Sequence, residues 1–376
     1  MAAIKRHPLL SYQPLRLFFQ VYVSVTILLR LPYYVVTSLF PRLRANPKWN
    51  AKQNFMTRMA KPVLGVISRV GITEKLALTP GKEGRRFELV PVPTTTKIYQ
   101  GPLLLNQVQP AQVGGTWYPD IPASHSISGN VVLYLHGGAF VQGDGRTSTC
   151  AKIADYFLTK GTADLVFSLQ YRLSGYGGLN PFPAALQDAV AAYVFLIRER
   201  KISPRQIIIS GDSAGGNLAA ALIRYLNDYG SAIDLPLPKC AVLFSPWVNP
   251  FEHETEGNPQ RDTDFVPGTY GAWGSSAYAG AHANPSESPY MAQLGHPYLT
   301  PVPWFVNVGT DEVLFRQIEK WTNEMRSVQG NKMEVNYEQH AVHDTYFVGH
   351  LFGFEESAWA VASKVADFVE SLPSPE

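Results

Sequence analysis

Gln206-Ile-Ile-Ile-Ser-Gly-Asp-Ser-Ala-Gly-Gly-Asn217 reads as the end of a buried strand, a tight turn, and the first turn of a helix. The isoleucine run suits a strand covered on both faces, and the Ala/Leu-rich stretch from Ala214 to Tyr229 has the spacing and length of a helix. Glycines flank Ser213 because a strand turning this sharply into a helix leaves no room for side chains there. The same turn exposes the Ser213 hydroxyl at the strand end, beside a helix N-terminus that favours negative charge. A G-x-S-x-G sequence in this strand-turn-helix context marks a nucleophile.

Outward from this point the rhythm of strand, turn and helix repeats. Short β-rich runs lie at Val131–Leu135, Asp164–Leu169, Gln206–Ser210, Cys240–Phe244, Trp304–Val308 and Lys332–Glu338. Helical patterns fill Ala184–Arg200, Ala214–Tyr229, Arg316–Val328 and Glu355–Leu372. This alternation predicts an α/β fold with a mostly parallel sheet and helices on both faces. One interval breaks the rhythm: Asn249 to Val302 is rich in Gly, Pro, Tyr, Trp and His with no clear strand. A structureless loop of that length is improbable in a compact domain, so a helical insertion forming a cap is expected there.

The strand Val131–Leu135 runs into His136-Gly-Gly-Ala-Phe140. A glycine pair at a strand end frees backbone N–H groups to approach a ligand, so Gly137, Gly138 and Ala214 are the expected oxyanion donors. His136 reads as a structural histidine, since the base comes last in such folds. Two adjacent carboxylates, Asp311 and Glu312, follow the strand Trp304–Val308, and two histidines, His340 and His343, follow Lys332–Glu338. Serine, acid and histidine in that order, each after a different strand, is the chain order of a hydrolytic triad. Either carboxylate and either histidine satisfies that order.

These features occur together with Tyr171-Arg-Leu173, Phe182-Pro-Ala-Ala-Leu186, Asp188 and Ser245-Pro-Trp247. In this order, from about Asn130 to the C-terminus, the motifs resemble the hormone-sensitive-lipase-like, fold-3 branch of the α/β-hydrolase esterases. The resemblance implies an α/β-hydrolase fold with a helical cap, and a triad of Ser213, Glu312 and His343 with Asp311 as the alternative acid. It implies structural roles for Asp188 and Asp212, a buried ion-pair role for Arg172, and a solvated His340. Ala139 stands where a third glycine is frequent, a departure that bears on the acyl pocket. The expected division is a hydrophobic segment over 1–45, an N-terminal cap and first strands over 46–130, and a catalytic core over 131–376 with a cap insertion at 249–302.

The N-terminus carries the sharpest composition shift. Leu17 to Leu29 is apolar apart from Gln20, Ser24 and Thr26, which is short for a span of about 20 residues. A secretory signal would need small residues at a cleavage site, which Pro41-Arg42-Leu43-Arg44 does not offer. A membrane anchor fits Tyr22, Tyr33 and Tyr34 at an interface and snorkelling Arg16 and Arg30, and a cap helix with an exposed apolar face fits the same run. Membrane contact is the expectation, at the endoplasmic reticulum or on an otherwise cytoplasmic protein.

The whole chain of 376 residues is 45% hydrophobic, which excludes disorder, and its net charge of +2 gives no basis for nucleic-acid binding. Cys150 and Cys240 exclude a disulfide scaffold or zinc ribbon and read as buried thiols. The expected chemistry needs no metal or cofactor: acyl transfer through Ser213 on short to medium, acetyl-type esters of a hydrophobic alcohol such as a sterol or secondary metabolite. Acyl transfer to another acceptor, amide cleavage or product release in a biosynthetic pathway uses the same serine. A non-catalytic small-molecule receptor of this fold would lack the base. The aromatics Trp247, Phe251, Phe265, Tyr270, Trp273, Tyr278 and Tyr290 suit either a pocket wall or the packing of the cap, and the sequence leaves the oligomeric state open.

Overall fold

The computed structural model describes residues 6–104, 107–122, 127, 129–252 and 257–373. The first five residues of the N-terminal segment and residues 253–256 of the insertion therefore lie outside the described residues. Eight strands form one sheet: β1 (Phe87–Val90), β2 (Val113–Tyr118), β3 (Val131–Leu135), β4 (Leu165–Gln170), β5 (Ile207–Asp212), β6 (Cys240–Phe244), β7 (Trp304–Gly309) and β8 (Met333–Glu338). Their spatial order is β1-β2-β4-β3-β5-β6-β7-β8, antiparallel at β1/β2 and β2/β4 and parallel from β4 to β8. The sheet is the mostly parallel one expected. The antiparallel edge escapes sequence reading because β1 is only four residues long and β2 opens on Val113-Gly-Gly115.

Alternation along β3 shows how the sheet is covered. Val131, Leu133 and Leu135 face a layer that includes Leu186 of α4 (Ala184–Val194), Leu218 of α5 (Ser213–Ile233) and Ile318 of α7 (Phe315–Ser327). Val132 and Tyr134 face Phe157 of α3 (Thr147–Thr159) and Val361 of α9 (Glu355–Ser371). Both faces are dry, which is why the strands read as unbroken apolar runs. Cys150 and Cys240 are buried free thiols in the second layer.

The N-terminal chain forms α1 (Leu15–Leu39) and α2 (Ala51–Val70). A reciprocal capping box starts α2: Asn50 accepts from the Gln53 N–H at 2.9 Å and the Gln53 side chain accepts from the Asn50 N–H at 2.7 Å. The interval 249–302 holds one longer helix, α6 (Gly268–Ala279), between 3₁₀ turns and irregular backbone. It is thus less helical than expected, because prolines and glycines interrupt every other run. Asn217 fastens it to α5 through bonds to Trp247, Met291 and Gln293 at 2.7–3.0 Å. A short helix, α8 (Thr345–Phe352), follows β8 and packs against α2.

Candidate active site

Ser213 sits where β5 becomes α5, at φ +49°, a conformation that L-residues adopt at a cost. A Cβ on Gly211 would lie 2.4 Å from the Gly215 carbonyl oxygen, and one on Gly215 would lie 1.9 Å from that of Leu135. The flanking glycines are therefore a steric requirement of the elbow, which leaves Ser213 partly exposed between buried neighbours. Trp247 N–H donates to the Ser213 carbonyl at 2.8 Å and holds the turn from the β6 side.

The oxyanion loop corrects one expectation. The Gly137 N–H donates to Asp212 Oδ1 at 2.8 Å, so it already has a carboxylate acceptor. Among the described residues, the N–H groups of Gly138 and Ala139 have no acceptor, and the Ala214 N–H is one of the free donors of the first turn of α5. The N–H groups left free beside the elbow are thus those of Gly138, Ala139 and Ala214. Close approach of α6 fixes Ala139: a Cβ on Gly274 would lie 2.5 Å from the Ala139 carbonyl oxygen. Tyr134 also donates to Asp212 Oδ1, so this carboxylate bolts the end of β3 to the elbow. His136 is structural, as expected, with its ring stacked on Tyr171 at 4.2 Å and Nδ1 2.7 Å from the Gly137 carbonyl oxygen. Asp188 and Arg172 form the expected buried pair at 2.8 Å.

The two carboxylates after β7 diverge. Asp311 accepts from Asn46 Nδ2, at the edge beside the exposed His340, whose Nδ1 lies 3.1 Å from the same amide. Glu312 is fully buried, with Oε2 accepting from Ser245 Oγ and from the Gly309 N–H at 3.0 Å. Its Oε1 lies 3.6 Å from His343 Nδ1, and neither atom has another partner among the described residues. That separation exceeds a hydrogen bond, and catalytic contacts of this kind tighten when substrate binds. Burial pushes the His343 ring down, but Glu312, joined by Asp264 and Asp212, carries it above the ordinary imidazole value.

Three supporting residues carried no role in the sequence reading. Ser245 donates to Glu312 and accepts from the Asp344 N–H at 3.0 Å, so one hydroxyl joins the acid loop to the histidine loop. Asp264, in the insertion, accepts from the Val313 N–H at 2.8 Å and the His343 N–H at 3.2 Å, and burial pushes its carboxyl up to about 6. Asp344 is held well above the ordinary carboxyl range, first by burial and then by the Asp212 carboxylate. Ser245 belongs to a quoted motif, but the signals for Asp264 and Asp344 are purely spatial.

All of this opens into one cavity of about 1440 Å³ lined by Ser213, His343, Gly138 and Ala139. Three of the seven noted aromatics, Trp247, Phe265 and Tyr270, wall it. Trp273 and Tyr278 are core residues, Tyr278 stacking on Phe140 at 3.8 Å, while Phe251 packs against the core and Tyr290 donates to Asp228. The opposite wall comes from α1 and α2. Among the described residues no group of His, Cys, Asp and Glu is arranged to hold a metal ion.

An eight-stranded, mostly parallel sheet with a serine at a strained strand-helix elbow defines the α/β-hydrolase class. A family model described as an alpha/beta hydrolase fold matches residues 132–347, and the chain belongs to this family, in its hormone-sensitive-lipase-like branch. The acetyl-hydrolase of Streptomyces hygroscopicus is 39% identical over 121 residues, 32% of this chain and 37% of that protein. The carboxylesterase/phospholipase LipF of Mycobacterium tuberculosis is 31% identical over 198 residues, 51% of this chain and 50% of that protein. These matches span about a third to a half of the curated relatives. A hormone-sensitive lipase from a metagenome library superposes with a TM-score of 0.58 at 26% identity, over 69% of this chain and 83% of that one.

Proposed function

We propose that the chain is a serine carboxylic-ester hydrolase. The observation that carries this reading is the convergence of the Ser213 elbow and the His343–Glu312 pair on one cavity. Ser213 Oγ attacks the ester carbonyl while its proton passes to His343, and the N–H groups of Gly138, Ala139 and Ala214 receive the oxyanion. Collapse of the tetrahedral adduct expels the alcohol with the proton from His343. Water, deprotonated by His343, then attacks the acyl-serine and releases the acid. Glu312 steadies the imidazolium, and the raised basicity of the His343 ring supports the first proton transfer. No step calls on a metal or organic cofactor.

The substrate class is a short to medium acyl ester, acetyl above all, of a hydrophobic alcohol. Ala139 beneath α6 narrows the acyl side, while the cavity exceeds the roughly 300–1,000 Å³ of most ligand pockets and leaves room for a polycyclic alcohol. The name of the Streptomyces relative supports the acetyl assignment. Membrane association through α1 belongs to the same reading, since this helix is long and apolar enough to cross a bilayer. The test is fluorophosphonate labelling of the full chain, with turnover of p-nitrophenyl esters from acetate to decanoate, beside Ser213→Ala. Labelling and turnover lost in the variant support the esterase, and a folded chain that does not label overturns it.

A further inference from the structure

α1 is apolar on both faces. The stripe turned inward mixes Phe19, Val23, Ile27 and Leu31 with Arg16, Thr26, Tyr34, Thr37 and Ser38, and the outward face still presents Phe18, Tyr22, Leu28 and Leu29 at 64–76% exposure. A helix on a water-exposed domain keeps its outer face polar instead. The charge distribution is equally lopsided. Eleven lysines and arginines precede Glu74, the first carboxylate in the chain, so all thirty acidic residues lie beyond α2 and the near-neutral total hides a strongly basic N-terminal unit. Among the described residues none of these cations is in an ion pair, and the exposed side chains of Arg42 and Lys48 make no hydrogen bond.

The helix is also held along its length. Ser11 donates to the Val70 carbonyl at 2.5 Å at one end, and Asn54 donates to Ser38 Oγ at 2.8 Å at the other. α2 is in turn bolted to the body: Trp49 donates to the His340 carbonyl at 2.6 Å, Gln53 to that of Gly353 at 3.0 Å, and Lys61 to that of Asp264 at 3.1 Å. A helix fastened to α2 in this way lies flat against the body and does not stand upright, although its 25 residues are long enough to span. The cavity that holds Ser213 is walled by Arg30 and Tyr33 of α1 and by Arg58 and Arg69 of α2.

From this we infer that α1 and α2 form a docking surface for an anionic lipid leaflet, with α1 lying in the plane of the bilayer. The cavity then opens at headgroup level, and the hydrophobic ester reaches Ser213 from the lipid. The inference rests on the esterase reading only in this last consequence. Apolar side chains supply the insertion, and unpaired cations select acidic headgroups.

The test is flotation of the full chain on vesicles of phosphatidylcholine alone or with about a third phosphatidylserine, with p-nitrophenyl acetate turnover measured on the same samples. The expected result is preferential binding to the acidic vesicles, weakened at about 0.5 M salt. In Arg42→Gln/Lys48→Gln the partition coefficient falls about five-fold per cation removed, which corresponds to about 1 kcal/mol each. Leu17→Ser/Val21→Ser/Leu28→Ser loses binding to both vesicle types while turnover of the water-soluble ester persists. Three results overturn the inference: equal, salt-independent binding to both vesicle types; resistance of the bound chain to alkaline carbonate; or a folded chain that floats on neither. Failure of the esterase reading shows separately, as absent turnover in protein that still binds vesicles.

Discussion

β3 and α1 are both rich in large aliphatic and aromatic residues, yet they follow opposite burial rules. Every side chain of β3 is dry on one face of the sheet or the other, whereas α1 mixes hydroxyls and a guanidinium with its inward aliphatics and leaves as many large apolar side chains outside. Apolar composition alone therefore does not tell core from surface; the phase of the pattern against its neighbour does. In this molecule the sheet carries the chemistry, and the helix pair carries the proposed lipid contact. Substitutions in the two regions should separate along that line.

The largest effect is expected at the elbow. Ser213→Ala should lower kcat/KM by at least about 10⁴-fold and abolish fluorophosphonate labelling, with an unchanged circular dichroism spectrum. Next come the paired carboxylates: Glu312→Gln should cost about 10²- to 10⁴-fold in kcat, while Asp311→Asn should change it less than about three-fold. The reverse order would move the acid to the edge beside His340 and break the assignment. The pH profile sharpens the same point. Because neutral His343 is the base, kcat/KM should fall as pH drops through a value above that of an ordinary imidazole, and Glu312→Gln should move this limb to lower pH. Ser245→Ala should cost about ten-fold and shift the limb as well, since its hydroxyl orients Glu312. Small, like that of Asp311→Asn, is the effect of Trp49→Phe, which removes the bond to His340 and should change turnover of a soluble ester by no more than a few-fold.

The residues that were legible in sequence are those whose constraint is local. The Ser213 elbow follows from glycines two positions either side, and the strands follow from runs of β-branched residues between turns. The choice of Glu312 over Asp311 came from family resemblance, since spacing left both open; the structure separates them by which one Ser245 and His343 can reach. Gly137 misled because a glycine pair announces free N–H groups without showing that Asp212, far along the chain, occupies one of them. Asp264 and Asp344 were illegible for the same reason: each acts through loops brought together only by the finished sheet.

The bond from Trp49 to the His340 carbonyl joins residues 291 positions apart, and Gln53 meets Gly353 across 300. At ribosomal speeds of about 5–20 residues per second, the basic helix pair emerges roughly 15–60 seconds before its docking site on the body exists. During that interval α1 and α2 have each other but no sheet to rest on, and the outward aliphatics of α1 are already available to a nearby lipid surface. If α1 docks on lipid as inferred above, the order of synthesis lets it do so as a nascent chain, and the loop carrying His343 then closes onto a helix pair that is already in place.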